Sequence, residues 1–418
     1  MLLAWLLASS ETLFRRDPCR FFRQPPKFNP HIIVLSTPTP PSAYNRANPF
    51  KARLTENYSL SGAGSNKDTR HLVVHLGGSG ITYVPGDSLG VVPRNFPRVV
   101  DELLPLLGHD EATTVEQPTG AVNLRDLLIT GHILNRVSKK FVKAVLEKLP
   151  EGSKKTALAE IVGNDEAFDD YVFTRDYTDV LTEFPVTFAA AEFLPLANKI
   201  APRLYSIASA PKAHPGEVHL TVAVVKYHTH GRHKFGLASG YLSHGQELNK
   251  DEIPVYIQPT KHFHMPSPDA PMIMCGPGTG IAPFRAFLEE REVEGAKGRN
   301  WLFFGDQKKS CDYLYEAQFA EMKRKGLLTK LDTAFSRDQA QKIYVQDRMR
   351  ENGAEMWKWL QEGAYFYVCG DAKRMAKDVH QMLIRIAQEH GGKTPEAAKE
   401  YIEVQFAKTE KRYLKDVY

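Results

Sequence analysis

Cys275-Gly276-Pro277-Gly278-Thr279-Gly280-Ile281-Ala282-Pro283-Phe284-Arg285 joins a short apolar run, Pro271-Met272-Ile273-Met274-Cys275, to a segment of helical spacing from Pro283 to Glu294. A buried strand that turns on glycines into a helix is the opening of a βα unit. Glycines let the backbone approach a diphosphate, and a helix start offers unpaired N–H groups and the positive end of a dipole. The spacing is not the G-x-G-x-x-G of dehydrogenases, so the turn alone also fits an unoccupied βα connection. Toward the C-terminus, Trp301 to Gly305 and Ala364 to Gly370 are further buried strands, and Met375 to Glu389 is a helix. The alternation predicts a doubly wound parallel sheet, covered on both faces, over 266–418.

Toward the N-terminus the texture is different. Lys51 to Tyr58 and Arg70 to Leu76 alternate as strands do, with a turn at Gly62 to Lys67 and another at Pro85-Gly86-Asp87. Strand patterning returns at Leu204 to Ala208, Glu217 to Tyr227 and Ile253 to Gln258. Between them, Val99 to Leu107, Asn123 to Ile129 and Lys139 to Leu149 carry apolar residues at helical spacing. The expectation is an antiparallel β-barrel over 44–265 (an α+β domain) with a helical insertion at about 97–200, followed by the α/β domain. Seven prolines within 24–50 make residues 1–43 an extended lead-in. The apolar Met1 to Leu7 is too short to span a bilayer, so no stable membrane insertion is expected.

The composition, 42% hydrophobic and 25% charged, is that of a globular protein, and a net charge of +5 is modest for 418 residues. No recognition-helix signature or basic run with interleaved aromatics points to nucleic acid. Cysteines 19, 275, 311 and 369 form no C-x-x-C pair or zinc spacing, which suits free thiols in a reducing, cytoplasmic setting. His228, His230 and His233 fall in a polar stretch and read as a solvated loop, so no metal is expected.

A second chemical site follows the next strand. Ser336, Arg337, Lys342 and Tyr344 supply a hydroxyl, a guanidinium, an ammonium and a phenol within nine residues, Phe335-Ser336-Arg337-Asp338 and Lys342-Ile343-Tyr344-Val345-Gln346. A ribose 2′-phosphate needs such donors, whereas an NAD site places a carboxylate there.

The third stretch is Arg203-Leu204-Tyr205-Ser206-Ile207-Ala208-Ser209. With CGPGTGIAPFR at 275–285, SRDQ at 336–339 with its following K-x-YVQ, YVCGDA at 367–372 and RYLKDVY at 412–418, it makes five motifs in order. On these motifs residues 44–418 resemble the FAD/NADPH module of the diflavin reductase family, nearest to its sulfite reductase flavoprotein branch.

That resemblance implies a ferredoxin-NADP reductase-like fold holding FAD and NADPH. Arg203 and Leu204 would line the FAD, with Arg203 on the pyrophosphate. Tyr205 would pack on the isoalloxazine, and Ser206 would bond near the nitrogen that accepts hydride. Thr221, Val222 and Ala223 fall on a second FAD strand and Tyr227 beside the adenine. Gly236, Leu237, Ala238 and Ser239 would cradle the diphosphate. NADPH would take Gly278 and Thr279 at its diphosphate, with Arg70 nearby. Its 2′-phosphate would lie on Ser336, Arg337, Lys342 and Tyr344; Ile343, Val345 and Gln346 would belong to the same NADPH-binding stretch, and Asp378, on a helix, would contact NADPH. Cys369 would sit by the nicotinamide, although by itself it reads as a buried core thiol. Asp416 would balance the nicotinamide cation, and Tyr418 would stack on the flavin.

The implied activity is hydride transfer from NADPH to FAD, then electron delivery to a protein acceptor. The sulfite reductase hemoprotein is favoured; a flavodoxin, FMN-domain or ferredoxin-like partner would make the chain a ferredoxin- or flavodoxin-NADP reductase instead. A non-catalytic flavin-binding scaffold is the reading from another class. Relatives carry Arg-Leu-Pro where this chain has His264-Met265-Pro266. Only about 43 residues precede the matching region, too few for a flavodoxin-like domain, so no FMN is expected on this chain.

Overall fold

The computed structural model of the chain describes residues 43–118 and 120–418. The lead-in expected over 1–43, the apolar Met1 to Leu7 and Cys19 lie outside the described residues, apart from Ala43 itself. Strands β1 (Phe50–Ser59), β2 (Thr69–His75) and β3 (Ser88–Val91) come first, then the hairpin β4 (Thr114–Gln117) and β5 (Gly120–Asn123). Then come β6 (Arg203–Ser206), β7 (Glu217–Ala223), the hairpin β8 (Lys226–Thr229) and β9 (Arg232–Phe235), and β10 (Glu252–Gln258). The main sheet runs β6-β3-β10-β1-β2-β7, antiparallel throughout.

A bridge between Ile207 and Leu220, and the Ala208 N–H donating to the His219 carbonyl at 2.8 Å, tie the end of β6 back to β7. The sheet therefore closes into a barrel, which leaves no long unpaired edge. Leu54, Leu72, Val74, Leu89, Leu220 and Val255 fill it. One strand was expected from Glu217 to Tyr227, but the ladder ends at Ala223. Beyond it the Val224 N–H donates to the Asp68 carbonyl and the Val225 N–H to Ser239 Oγ, so the chain leaves the sheet to begin a hairpin.

The insertion is more helical than the sequence pattern suggests. Helices Pro97–Leu107, Leu124–Gly131 and Lys139–Lys148 match the expected segments, and Ser153–Val162, Asp165–Thr174, Tyr177–Glu183 and Ala190–Phe193 join them. Side chains of Asn123, Ser138, Asn164 and Asp176 cap four of the seven, satisfying N–H groups that a helix start leaves open. Ser153–Val162 buries only Leu158, so periodicity could not reveal it.

The second sheet has β11 (Met272–Cys275), β12 (Asn300–Asp306), β13 (Lys330–Phe335), β14 (Tyr365–Gly370) and β15 (Tyr413–Val417) in the order β13-β12-β11-β14-β15, all parallel. Alternate residues serve opposite faces. Ile273, Cys275, Trp301, Phe303 and Val368 enter one apolar cluster; Met274, Leu302, Phe304, Tyr367 and Cys369 enter another. A sheet buried on both sides has no polar face, which is why its strands are continuous apolar runs. β15, which no such run announces, completes it as an edge strand beside β14.

Candidate active site

The site forms where the end of β6 meets the ends of β14 and β15. Parallel pairing sets Cys369 opposite Asp416 and Gly370 opposite Val417. Ser206, at the end of β6, donates through Oγ to Asp416 Oδ2 at 2.6 Å, and the Cys369 thiol lies 3.7 Å from the same oxygen. Barrel and parallel sheet thus share one carboxylate. Burial, reinforced by the negative charge of Asp416, pushes the Cys369 thiol well above its ordinary range, so it keeps its proton. A protonated buried thiol is a weak donor and a poor nucleophile.

Tyr418 closes the strand over this group. Its N–H donates to the Gly370 carbonyl at 3.1 Å, its own carbonyl accepts from the Ala372 N–H at 3.1 Å, and its hydroxyl meets Thr279 Oγ1 at 3.0 Å. The residue is nonetheless 58% exposed, an aromatic ring held by few contacts. Leu204 is 48% exposed nearby on β6, and the exposed Arg203 side chain has no ion pair among the described residues. A lone guanidinium beside an exposed leucine and an exposed ring fits a flat aromatic ligand that carries phosphate.

The Gly276–Gly280 turn abuts the same point. A Cβ on Gly280 would stand 2.1 Å from the Cys369 carbonyl, so only glycine lets the turn pack on β14. Gly278 has φ +57°, and a single 3₁₀ turn, Gly278–Ile281, precedes the helix Ala282–Glu294. The Ser336 loop is tied to β12: the Ser336 N–H donates to the Asp306 carbonyl at 2.9 Å and the Arg337 N–H to the Gln307 carbonyl at 2.8 Å. Arg337 and Lys342 point into solvent with no ion pair among the described residues, and Tyr344 is 45% exposed. Two unneutralised cations beside a hydroxyl and a phenol suit a phosphate monoester.

Other expected residues are less central. Val345 is buried and Ile343 packs against the same cluster, so these two side chains position the loop. The Thr221 hydroxyl is hydrogen-bonded to that of Tyr315 at 2.7 Å and Val222 faces the barrel core; of that trio only Ala223 reaches the cleft beside Tyr418. The Tyr227 hydroxyl contacts the Asn135 carbonyl at 3.4 Å. Gly236 starts the helix Leu237–His244, with Ser239 bonded to the Val225 N–H at 3.1 Å. Asp378 is exposed on the first turn of Met375–Glu389. Arg70 is engaged within the barrel, donating to Asp68 at 2.9 Å and Asn57 at 3.1 Å. His228 and His233 oppose each other across the β8–β9 hairpin, rings 4.7 Å apart, with His230 in its turn at φ 50°.

Sequence reasoning passed over the seam between barrel and parallel sheet. Arg285, which ends the quoted motif, donates to the Ala208 carbonyl at 2.5 Å, to Gln318 at 2.8 Å and to Glu289 at 2.7 Å. Glu289 in turn accepts from the Ala210 N–H at 3.1 Å. His71 joins Tyr315 at 2.9 Å and His219 at 3.2 Å. Burial first, then the charge of Arg285, holds His71 and His219 well below the usual imidazole range. Burial disfavours the charged form of Glu289, but Arg285 and His214 outweigh it and bring the carboxyl down to about 2. The i, i+4 spacing of Arg285 and Glu289 was the one available hint.

The chain is similar to known proteins over most of its length. Residues 42–241 match the FAD binding domain model, and residues 274–381 match the oxidoreductase NAD-binding domain model. The sulfite reductase [NADPH] flavoprotein alpha-component of Bacillus subtilis is 42% identical over 389 residues, 92% of this chain and 64% of that protein. That of Vibrio cholerae is 43% identical over 381 residues, 91% of this chain and 61% of the relative, and that of Shewanella oneidensis is 43% identical over 382 residues. The chain thus spans a little under two thirds of the curated relatives it matches. Among the described residues no helix is long and apolar enough to cross a membrane.

Proposed function

We propose that this chain is the FAD/NADPH module of a diflavin reductase, transferring hydride from NADPH to FAD and passing electrons to a protein acceptor of the sulfite reductase system; its likeness to sulfite reductase flavoproteins and to the FAD and NAD binding domain models supports this. The observation that carries this reading is the convergence of Ser206, Cys369 and Asp416 under the exposed Tyr418. In this reading residues 44–265 hold FAD, with the insertion at about 97–200, and residues 266–418 hold NADPH.

Bound FAD supplies a two-electron acceptor that can release electrons singly. Arg203 and the helix start at Gly236–Ser239 neutralise its diphosphate, and Tyr205 and Tyr227 offer flat faces. Ser336, Arg337, Lys342 and Tyr344 would bind the 2′-phosphate, Gly278 and Thr279 would receive the diphosphate, and Asp378 would contact NADPH from its helix. Asp416 holds negative charge where positive charge grows in hydride transfer, and Ser206 fixes its carboxylate by a hydrogen bond. Cys369 keeps its proton and orients the same oxygen. Tyr418 would turn aside by giving up its side-chain bond to Thr279, and return to exclude water. We place the reaction in the cytoplasm, a setting that suits the buried free thiols of Cys275, Cys311 and Cys369.

Purified protein is expected to be yellow, to contain FAD, and to reduce ferricyanide much faster with NADPH than with NADH. Equal rates would sink the 2′-phosphate assignment. Association with a siroheme hemoprotein, measured by pull-down, tests the acceptor.

A further inference from the structure

We propose that Lys67, on the barrel loop between β1 and β2, binds the diphosphate of the pyridine nucleotide, and that Asp306 at the end of β12 holds it in place. This rests on the coenzyme reading above but adds two residues to it. Lys67 and Asp306 face a cleft of about 430 Å³ that Thr279, Lys226, Ala223 and Tyr418 also line. The Lys67 ammonium donates to Asp306 Oδ1, which accepts the Gln307 N–H as well, at 2.6 Å.

Asp306 is buried, its side chain 1% exposed, while that of Lys67 is 35% exposed. Asp306 Oδ2 is buried with no hydrogen-bond partner among the described residues. It lies toward the glycine turn: a Cβ on Gly278 would stand 3.9 Å from it. Burial raises the Asp306 carboxyl above its usual range even with Lys67 beside it. A lone carboxylate here would repel a diphosphate at Gly278 and Thr279; the paired lysine cancels that charge and keeps further ammonium N–H donors for the ligand.

The loop that delivers this lysine is fastened. The Lys67 N–H donates to Ser65 Oγ at 2.9 Å, Ser65 donates to Asp312 at 2.5 Å, and the Gly62 N–H donates to the Cys311 carbonyl at 2.7 Å. Lys67 is therefore presented to the nucleotide from the opposite sheet without a search through rotamers of a loose loop. The Asp306 carbonyl also anchors the Ser336 N–H, so the same residue aligns the diphosphate and 2′-phosphate subsites. Arg70, the barrel cation expected in this role, is spent on Asp68 and Asn57 and does not line the cleft.

The test uses FAD-loaded protein with NADPH and ferricyanide, and 2′-AMP, which lacks a diphosphate, as a competitive inhibitor. Lys67→Met is expected to raise KM for NADPH about tenfold, with kcat within about twofold and the Ki for 2′-AMP unchanged. Lys67→Arg should restore KM to near wild type. Because Lys67→Met strands a buried carboxylate, Lys67→Met/Asp306→Asn is the second variant, and its KM should stay elevated about fivefold or more. A wild-type KM in that double variant would show that the lysine only neutralises Asp306, and would overturn the proposal. So would a KM and a 2′-AMP Ki that rise together. Failure of 2′-AMP to compete with NADPH in the unaltered protein would instead overturn the coenzyme site, and this proposal with it.

Discussion

The helical insertion and the seam between barrel and parallel sheet are both buried, and they are built in opposite ways. The insertion closes on apolar side chains of its own, with Phe141 packed edge-on against Tyr177 and Phe193 and tilted against Phe188. The seam is polar: His71, His219, Arg285 and Glu289 are each at least nine-tenths buried and bonded to one another or to the backbone. Apolar contact is non-directional and tolerates small shifts, so it supplies stability. Buried hydrogen bonds demand geometry, so a seam made of them fixes how two sheets meet. Ser206 and Asp416 lie 210 residues apart in the chain and must meet within 2.6 Å, which is the kind of placement a polar seam enforces.

Four measurements would break or sharpen that contrast. The largest effect should come from Phe141→Ala, which removes a fully buried ring from the insertion and is expected to cost about 3–5 kcal/mol in denaturant unfolding. Folded protein should keep its kcat; a fall in kcat would show that the insertion shapes the site. Glu289→Gln leaves Arg285 without its carboxylate in the seam, and a loss of about 3 kcal/mol is expected. Here kcat should fall as well, because Arg285 holds the backbone just beyond Ser206; an unaltered kcat would make the seam merely structural.

Asp416→Asn is expected to lower kcat about 100-fold with little change in Tm or FAD content. A Tm loss without a rate loss would reverse its assignment. The smallest effect concerns pH. His71 and His219 stay neutral when folded but take up protons near pH 6.5 when unfolded, as does the partly buried His132. Acidification from pH 7.5 to 5 therefore favours the unfolded chain, by at most about 1.4 kcal/mol per pH unit for each imidazole. Glu289, at about 2, keeps its charge throughout that window. His71→Gln should flatten the dependence of Tm on pH; an unchanged slope would place the titration elsewhere.

The legible parts of the molecule were those whose local pattern and tertiary role coincide. β11, β12 and β14 are apolar runs because both faces of their sheet are covered, and the Gly276–Gly280 turn announced itself through glycines that its packing requires. β3 and β15 were not read as strands: four and five residues with mixed side chains carry too little periodicity. Among site residues, Arg203, Ser206, Asp416 and Tyr418 stood inside motifs. Lys67 and Asp306 did not, and a lysine in a polar loop looks like any solvated lysine until its partner on another sheet is known.

The amino-acid sequence by itself determined the two kinds of sheet, the order of barrel, insertion and parallel-sheet region, and the donor chemistry of the glycine- and cation-bearing motifs. These follow from period, glycine placement and donor type, all properties of neighbours along the chain. Only the tertiary structure decided that the barrel closes through Ile207 and Leu220, that Ser206 and Cys369 converge on one carboxylate, and that Lys67 rather than Arg70 faces the cleft. Each depends on contacts between residues far apart in the chain, and no local pattern records which distant partner a buried polar group will meet.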